Sequence, residues 1–191
     1  GPEFGYTTEE IGKYIAGPAF QAWWGMTNLE GHGGPNPKWW YERQRAMCRN
    51  MLARMRQLGM EPVLPGFYGT VPSNLATKMA GKGGYTQVNA GGNWQGYKAP
   101  GMLSATDPKF DHLAEVFYET QKKVMGESRF FSMDLCHEGG TAPNCGRATQ
   151  AKGIVKALDA NCGPQSVWVI QAWGGNPADD LLGAVPKGRL L

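Results

Sequence analysis

The stretch Phe130-Phe131-Ser132-Met133-Asp134-Leu135-Cys136-His137-Glu138-Gly139-Gly140 decides how the chain is read. It begins as an apolar run of strand length and ends in a polar turn with paired glycines. A helical pattern follows, from about Arg147 to Ala160. A strand that ends in a carboxylate and feeds a helix is how α/β enzymes present a catalytic acid. Glu138 is therefore the leading catalytic candidate. The competing reading is an idle carboxylate, which many strand-to-helix loops carry.

Outward from this stretch the chain alternates helix and strand. Thr7 or Thr8 is expected to cap a short helix with Ile11, Tyr14 and Ile15 on one face, stopped by Gly17-Pro18. Ala19 to Trp24 reads as a short strand. Lys38 to Leu58 is the longest helix. Its Trp40, Met47, Met51, Leu52, Met55 and Leu58 recur at helical spacing as a core face, and Arg43, Arg45, Arg49, Arg54 and Arg56 interleave as a solvated one. Met60 to Phe67 is a strand whose regular pairing Pro62 and Pro65 oppose. Val71 to Asn74 opens a short helix. Ala80 to Ser104 is rich in Gly, Asn and aromatic residues, has little periodicity, and reads as a long functional loop. Asp107-Pro108 is expected to cap a helix with Phe110, Leu113, Ala114, Phe117, Tyr118 and Val124 on its apolar face. Val167 to Ile170 is a β-rich run that ends at Gln171-Ala172-Trp173, and Ala178 to Leu182 is a short helix. Arg189 to Leu191 starts one more strand. Gly1 to Phe4 reads as a protease and cloning-site remnant, leaving residues 5–191 as the fold.

No tight hairpin signal separates the strands, which is the pattern of a parallel sheet with crossover helices. Of five candidate strands, four carry polar or aromatic residues at their carboxyl ends: Trp23 to Asn28, Phe67-Tyr68, Asp134 to Glu138, and Gln171 to Trp173. In a β/α barrel such ends converge on one site. The fold class expected is α/β, a partial (β/α)8 TIM-type barrel with about five parallel strands of the eight a full barrel needs.

Composition narrows the function. With 191 residues, 41% apolar and 18% charged, the chain supports one domain with a real core and is no disordered segment. A net charge of +3, with 19 unclustered basic residues, gives no sign of a nucleic-acid partner. No segment approaches the ~20 apolar residues of a membrane span. Neither GxGxxG nor GxxxxGK[ST] occurs, and Gly81-Lys82-Gly83-Gly84 reads as a solvated loop, so no nucleotide cofactor is expected. Tryptophans sit beside glycines at Trp23-Trp24-Gly25, Gly92-Asn93-Trp94 and Trp173-Gly174-Gly175. Such rings serve either as core or as platforms for the apolar faces of sugars. Cys48, Cys136, Cys145 and Cys162 form no CxxC; Cys136 and Cys145 flank the Glu138 loop and are a candidate bridge. His32, His112 and His137 show no ligand spacing, so no metal is expected, although a metal-dependent hydrolase would have to use them.

Several runs resemble the α-N-acetylglucosaminidases, glycoside hydrolase family 89. They are Gly17-Pro18-Ala19-Phe20-Gln21-Ala22-Trp23 with Met26-Thr27-Asn28-Leu29, then Met55 to Phe67 with Val71-Pro72, then Gln171-Ala172-Trp173 and Leu182 to Leu191. The resemblance spans residues 5–191. It implies a retaining, exo-acting glycosidase on a β/α barrel that removes terminal α-linked N-acetylglucosamine from a glycan, using two glutamates about 5–5.5 Å apart. Glu138 takes the acid/base position and would need a raised pKa. Trp23, Trp24, Asn28, Tyr68, His137, Gln171 and Trp173 would line the sugar pocket. Some relatives carry Asn-Glu where this chain has His137-Glu138, and His137 is expected to hydrogen-bond the sugar. The family's nucleophile lies further along the barrel. Glu30 and Asp134 are the nearest substitutes, and Asp134 is expected to order the strand end instead. The chain alone is thus expected to lack activity, and to pair with the missing barrel half or with itself. The family also implies an extracellular or periplasmic location, or a lysosomal one in animals. A carbohydrate-binding module without catalysis is the alternative function.

Overall fold

The structure, a computed structural model, describes residues 2–191; the side chains of Pro2 and His137 lie outside the described residues. In chain order the elements are α1 (Thr8–Tyr14), α2 (Gln21–Gly25), α3 (Lys38–Gln57), β1 (Val63–Pro65), β2 (Thr70–Val71), α4 (Leu75–Lys78), β3 (Val88–Asn89), β4 (Asn93–Trp94), β5 (Tyr97–Lys98), β6 (Gly101–Leu103), α5 (Phe110–Met125), β7 (Phe130–Ser132), α6 (Arg147–Cys162), β8 (Val167–Val169) and α7 (Asp179–Leu182).

The stretch Phe130-Phe131-Ser132 is the centre of a parallel sheet in the order β1-β7-β8. Phe131 stands opposite Leu64 on one side and Trp168 on the other. Trp168 also makes an isolated parallel bridge to Leu190, in the run Arg189 to Leu191 where one more strand is expected. Strand order follows chain order without reversal, so among the described residues there is no topological switch point of the nucleotide-binding kind. The crossovers are α5, which buries Phe110, Ala114 and Tyr118, and α6, which buries Ala151, Ile154, Val155, Ala157 and Leu158. Phe131, Met133 and Leu135 continue into the core, and the Trp168 indole N–H donates to the Met133 carbonyl at 2.6 Å. Burying these large side chains against both helices is what fixes the sheet.

Several expectations are corrected. The run Ala19 to Trp24 is helical, not a strand: Pro18 to Phe20 is a short 3-10 turn and α2 follows. Short apolar runs do not distinguish the two conformations, and Pro18 at the first helical position favours the turn. The methionines of α3 do not all enter the core. Its inner stripe is Cys48, Leu52 and Met55, whereas Met47 and Met51, one residue out of phase, are 51% and 57% exposed. Residues 80–104 are not an aperiodic loop. They hold β3 to β6, with an antiparallel sheet in the order β2-β6-β3 and a β4–β5 hairpin. Its two-residue turn is Gln95-Gly96, at φ 51° and 86°. Strands of two residues show no period, and Gln-Gly lacks the usual Asn-Gly signature. Parallel strands therefore number three plus the bridge at Leu190, fewer than about five. Phe4, expected outside the fold, is buried and packs edge-on against Tyr85, with ring centroids 6.1 Å apart.

Two buried polar side chains bind the antiparallel segment to the rest. The Asp107 carboxylate accepts from the backbone N–H groups of Tyr85, Thr86, Gln87 and Lys109 at 2.8–3.0 Å. Asp107 is therefore not the cap expected of it: α5 begins at Phe110 after Lys109, with no side-chain cap, and the carboxylate serves the turn before the helix and the entry to β3. Gln150 on α6 is fully buried. Its Nε2 donates to the carbonyls of Tyr68 and Leu103 at 2.8 and 3.0 Å, and its Oε1 accepts from the Ala105 N–H at 2.7 Å.

Candidate functional site

The chain leaves β7 buried and then turns sharply. Cys136, Glu138 and Gly139 all adopt left-handed backbone angles, with φ of 63°, 45° and 78°. For a non-glycine residue this costs about 1 kcal/mol or more, and such strain gathers at functional sites. The consequence is geometric: Leu135 is buried, while Glu138 three residues later is exposed.

Three neighbours hold the turn. The Asn28 side-chain amide, itself fully buried, donates to the Glu138 carbonyl at 3.4 Å. The Asp134 carboxylate accepts from the Gln171 N–H at 3.0 Å and joins the ends of β7 and β8. This is the strand-ordering role expected of it. The Thr141 hydroxyl donates to the Pro100 carbonyl at 2.6 Å, which fixes the far side of the turn to the antiparallel segment.

Glu138 lines a cleft of about 220 Å³ with Cys136, Arg147, Trp173 and Asn176. It is the one carboxylate among the described lining residues. Trp173 is 49% exposed and is carried by a tight turn in which Trp173 and Asn176 exchange both backbone hydrogen bonds, at 2.9 and 3.0 Å. Arg147, the first residue of α6, is held at its Nε by both oxygens of Asp180 at 3.1 and 3.3 Å. The sequence alone does not mark Arg147, Asn176 or Cys136 as site residues. Cys136 lies in the run Phe130 to Gly140, and the other two carry no signal beyond their place next to a loop glycine or proline.

The remaining candidates divide. Gln171 meets the site through its backbone, bonding Asp134 by its N–H and receiving the Asn176 amide at its carbonyl at 2.6 Å. Trp23 is 42% exposed on α2. Trp24 packs edge-on against Tyr14 at 5.8 Å, with its indole N–H buried. Tyr68 is buried, and its hydroxyl donates to the Gly25 carbonyl at 3.3 Å, so it supports α2 from beneath and does not line the cleft. The side chain of His137 lies outside the described residues. Glu30, one nucleophile substitute, accepts from the Ser73 N–H and hydroxyl at 3.0 and 2.8 Å and pairs with Lys98 at 2.5 Å. It lines a second, larger cleft of about 480 Å³ with Tyr14, His32 and Tyr97.

The candidate Cys136–Cys145 bridge is absent: both thiols are free, and Cys145 Sγ sits 3.2 Å from Gln150 Oε1. Burial pushes the Cys136 thiol up to about 11. No grouping of metal ligands occurs among the described residues. His32 lies between Phe20 and Tyr97, whereas His112 pairs with Glu3.

The family model for the alpha-N-acetylglucosaminidase (NAGLU) tim-barrel domain matches residues 2–191. The chain belongs to this family. It is 31% identical over 200 residues to human α-N-acetylglucosaminidase, with 98% of this chain and 26% of that protein covered. Among solved structures it is similar to a family 89 glycoside hydrolase from Clostridium perfringens in complex with 2-acetamido-1,2-dideoxynojirmycin, with a TM-score of 0.90, 35% identity, and 99% of this chain and 22% of that chain covered. It is equally similar to a variant from the same organism with two glutamates replaced by glutamine, in complex with its substrate GlcNAc-α-1,4-galactose, with a TM-score of 0.89, 35% identity and the same coverage. The chain therefore spans about a quarter of the length of these α-N-acetylglucosaminidase relatives.

Proposed function

We propose that this chain supplies the acid/base and part of the sugar-binding wall of a retaining, exo-acting hydrolysis of terminal α-linked N-acetylglucosamine. The observation that carries the reading is Glu138, a solvent-facing carboxylate held by a strained turn in a cleft with an exposed tryptophan. As a carboxylic acid it protonates the glycosidic oxygen as the bond to the sugar breaks. As a carboxylate it then takes a proton from the attacking water. Trp173 offers an apolar face to the sugar ring, and His137 and Trp23 are assigned to the same pocket. The double glutamine variant of the bacterial relative, bound to its substrate, supports a two-glutamate chemistry.

A retaining mechanism needs a second carboxylate about 5–5.5 Å from the first. Asp134 is committed to the Gln171 N–H, and Glu30 to Ser73 and Lys98. We assign the nucleophile to neither. The parallel sheet is read as one arc of an eight-stranded barrel, a reading its sequential strand order supports. The open edge of β1, where Val63 is 49% exposed, would pair with a further strand or a second copy. The location assigned is extracellular or periplasmic, or lysosomal in an animal.

The 191-residue chain is expected to bind N-acetylglucosaminides without turning over an aryl α-N-acetylglucosaminide. In a longer form that does turn over, Glu138→Gln should lower kcat by about 10²–10⁴-fold, with azide restoring the glycosyl-transfer step. Full activity of the Glu138→Gln protein would remove the acid/base assignment. Binding with no turnover in any longer form would favour a carbohydrate-binding module.

A further inference from the structure

We infer that Arg147 and Asp180 are positioning residues, whose ion pair fixes the Trp173 turn against the Glu138 turn and so sets the width of the cleft that takes the terminal sugar. This inference rests on Glu138 and Trp173 forming that site. Arg147 lines the cleft beside Glu138, and its Nε bonds both oxygens of Asp180 at 3.1 and 3.3 Å. Arg147 opens α6, at the end of the loop that carries Glu138. Asp180 lies in the first turn of α7, just beyond the Trp173 turn. The pair thus joins the two segments that carry the opposed cleft residues.

At its other end the Trp173 segment is tied by backbone. The Gln171 N–H donates to Asp134 at 3.0 Å, which fastens the start of the segment to the end of β7. The backbone bonds between Trp173 and Asn176, and the Asn176 amide to the Gln171 carbonyl at 2.6 Å, act within the turn. They shape it and do not connect it to α6. Gly174 sits at φ 54° and Gly146 at φ 80°, each with open space where a Cβ would be. Both approaches to the cleft therefore carry a soft backbone position, which a side-chain tie across them restrains. Leu181 anchors α7 in the core, and its N–H donates to Asp180 Oδ1 at 3.0 Å, so the carboxylate is aimed by its own helix.

Both charges act on the cleft: burial pushes the Cys136 thiol up to about 11, Arg147 offsets part of the rise, and Asp180 adds to it. Two other roles compete with a clamp. Arg147 could touch the sugar directly, or Asp180 could serve only as a favourable charge in the first turn of α7. Asp179 offers the same charge in the same turn, and its side chain makes no bond or ion pair among the described residues. It is therefore the control for the second role. Arg147 and Asp180 are both half-exposed, so their pair is modest in strength and screened by salt. The sugar is neutral, so salt acts on its binding only through the protein.

The 191-residue chain is titrated with methyl N-acetyl-α-glucosaminide at about 0.05 M and about 0.5 M salt, following the tryptophan indole N–H resonances. Asp180→Asn and Arg147→Gln are each expected to weaken binding about threefold at the lower salt and to remove its salt dependence. The double variant should lose no more than either single one, because all three lack the same tie. Asp179→Asn should bind as the unsubstituted chain does. With no sugar present, the Trp173 and Asn176 amides should exchange about threefold faster in Asp180→Asn and at the original rate in Asp179→Asn. Losses that multiply to about ninefold in the double variant would place Arg147 on the sugar itself and overturn the inference. Equal effects of Asp179→Asn and Asp180→Asn would reduce the pair to a helix-end charge and overturn it too. Unchanged exchange in Asp180→Asn overturns it whatever the sugar does. If the turn loosens as expected but the unsubstituted chain binds no sugar, the site reading fails and the inference with it.

Discussion

In the parallel sheet, β7 is bonded on both sides, and each of its residues has a partner in β1 and in β8. In the segment from β2 to β6, five strands of two or three residues make two separate small sheets. The first region is held by backbone ladders and by rings such as Phe131 and Trp168 packed beneath two long helices. The second has too few ladder bonds for that and relies on buried side chains that reach in from outside it, Asp107 and Gln150. Both regions meet at the Glu138 turn. The Glu138 turn follows the end of β7, and the antiparallel segment braces the residues beyond it through Thr141 to Pro100 and Asn89 to Ala142. A turn can thus leave a rigid frame and be held by a segment with its own attachment.

The difference is tested most severely at Asp107. Alanine there leaves four backbone N–H groups without the carboxylate they share, two of them on residues half open to water. The expected loss is about 4 kcal/mol. Amide exchange should accelerate through residues 85–103 while β7 and β8 keep their protection. Equal loss of protection in β7 would show that the two regions unfold as one unit, and the distinction would go.

A smaller effect is expected at the junction. Tyr68 bonds Gly25 by its hydroxyl and receives Gln150 at its carbonyl. Burial pushes its phenol up to about 12, with the hydroxyls of Thr70 and Thr27 offsetting part of the rise. Tyr6 is likewise pushed up to about 12, by burial first and then by Glu30 and Glu10. An unfolded tyrosine titrates near pH 10. The folded chain therefore holds more protons above that pH. Stability from these phenols is fully present below about pH 10 and is lost as pH rises through about 12. For Tyr68 alone the loss by pH 12 is about 2 kcal/mol. Denaturant midpoints followed with tyrosinate absorbance should show it, and Tyr68→Phe should flatten the profile. A midpoint unchanged over that range would mean that the junction is open to water.

The two regions also differ in how far the sequence reveals them. The run Phe130 to Leu135 is apolar and ends in a glycine pair, α6 has a clear inner stripe, and the repeat of strand, crossover and strand leaves little choice of topology. Glu138 stands out in the sequence for a related reason: it is the carboxylate of the loop that follows this run. What local pattern could not convey was contact between distant residues. Asp107 reads as a cap for the helix that follows it, yet three of its bonds go back some 20 residues in sequence. Gln150 looks like a surface position on α6 but is fully buried, because it answers two carbonyls of the antiparallel segment. Trp94 was visible as a tryptophan beside glycine, though its place beside Gly139 depends on a hairpin whose strands are too short to show a period. Local pattern likewise gives no sign that Trp24 packs edge-on against Tyr14 or that the Tyr68 hydroxyl bonds Gly25.

The smallest effect concerns how α3 joins the parallel half. Beyond Leu52 in the core, the helix reaches α5 through Arg56, whose Nη2 donates to the carbonyls of Met125 and Glu127 at 3.0 and 2.9 Å. These carbonyls belong to the end of α5 and the turn after it, where the helix itself provides no partner. Both bonds are exposed, so Arg56→Ala is expected to cost about 1 kcal/mol, well below the loss at Asp107. Arg54, one position pair earlier on the same helix, bonds Gln57 within α3 at 3.4 Å, and its alanine variant should change stability by less than about 0.5 kcal/mol. Chemical denaturation of the two variants side by side decides the matter. Equal and negligible losses would leave packing at Leu52 and Met55 as the attachment of α3, and side-chain ties to carbonyls would then be confined to the antiparallel segment.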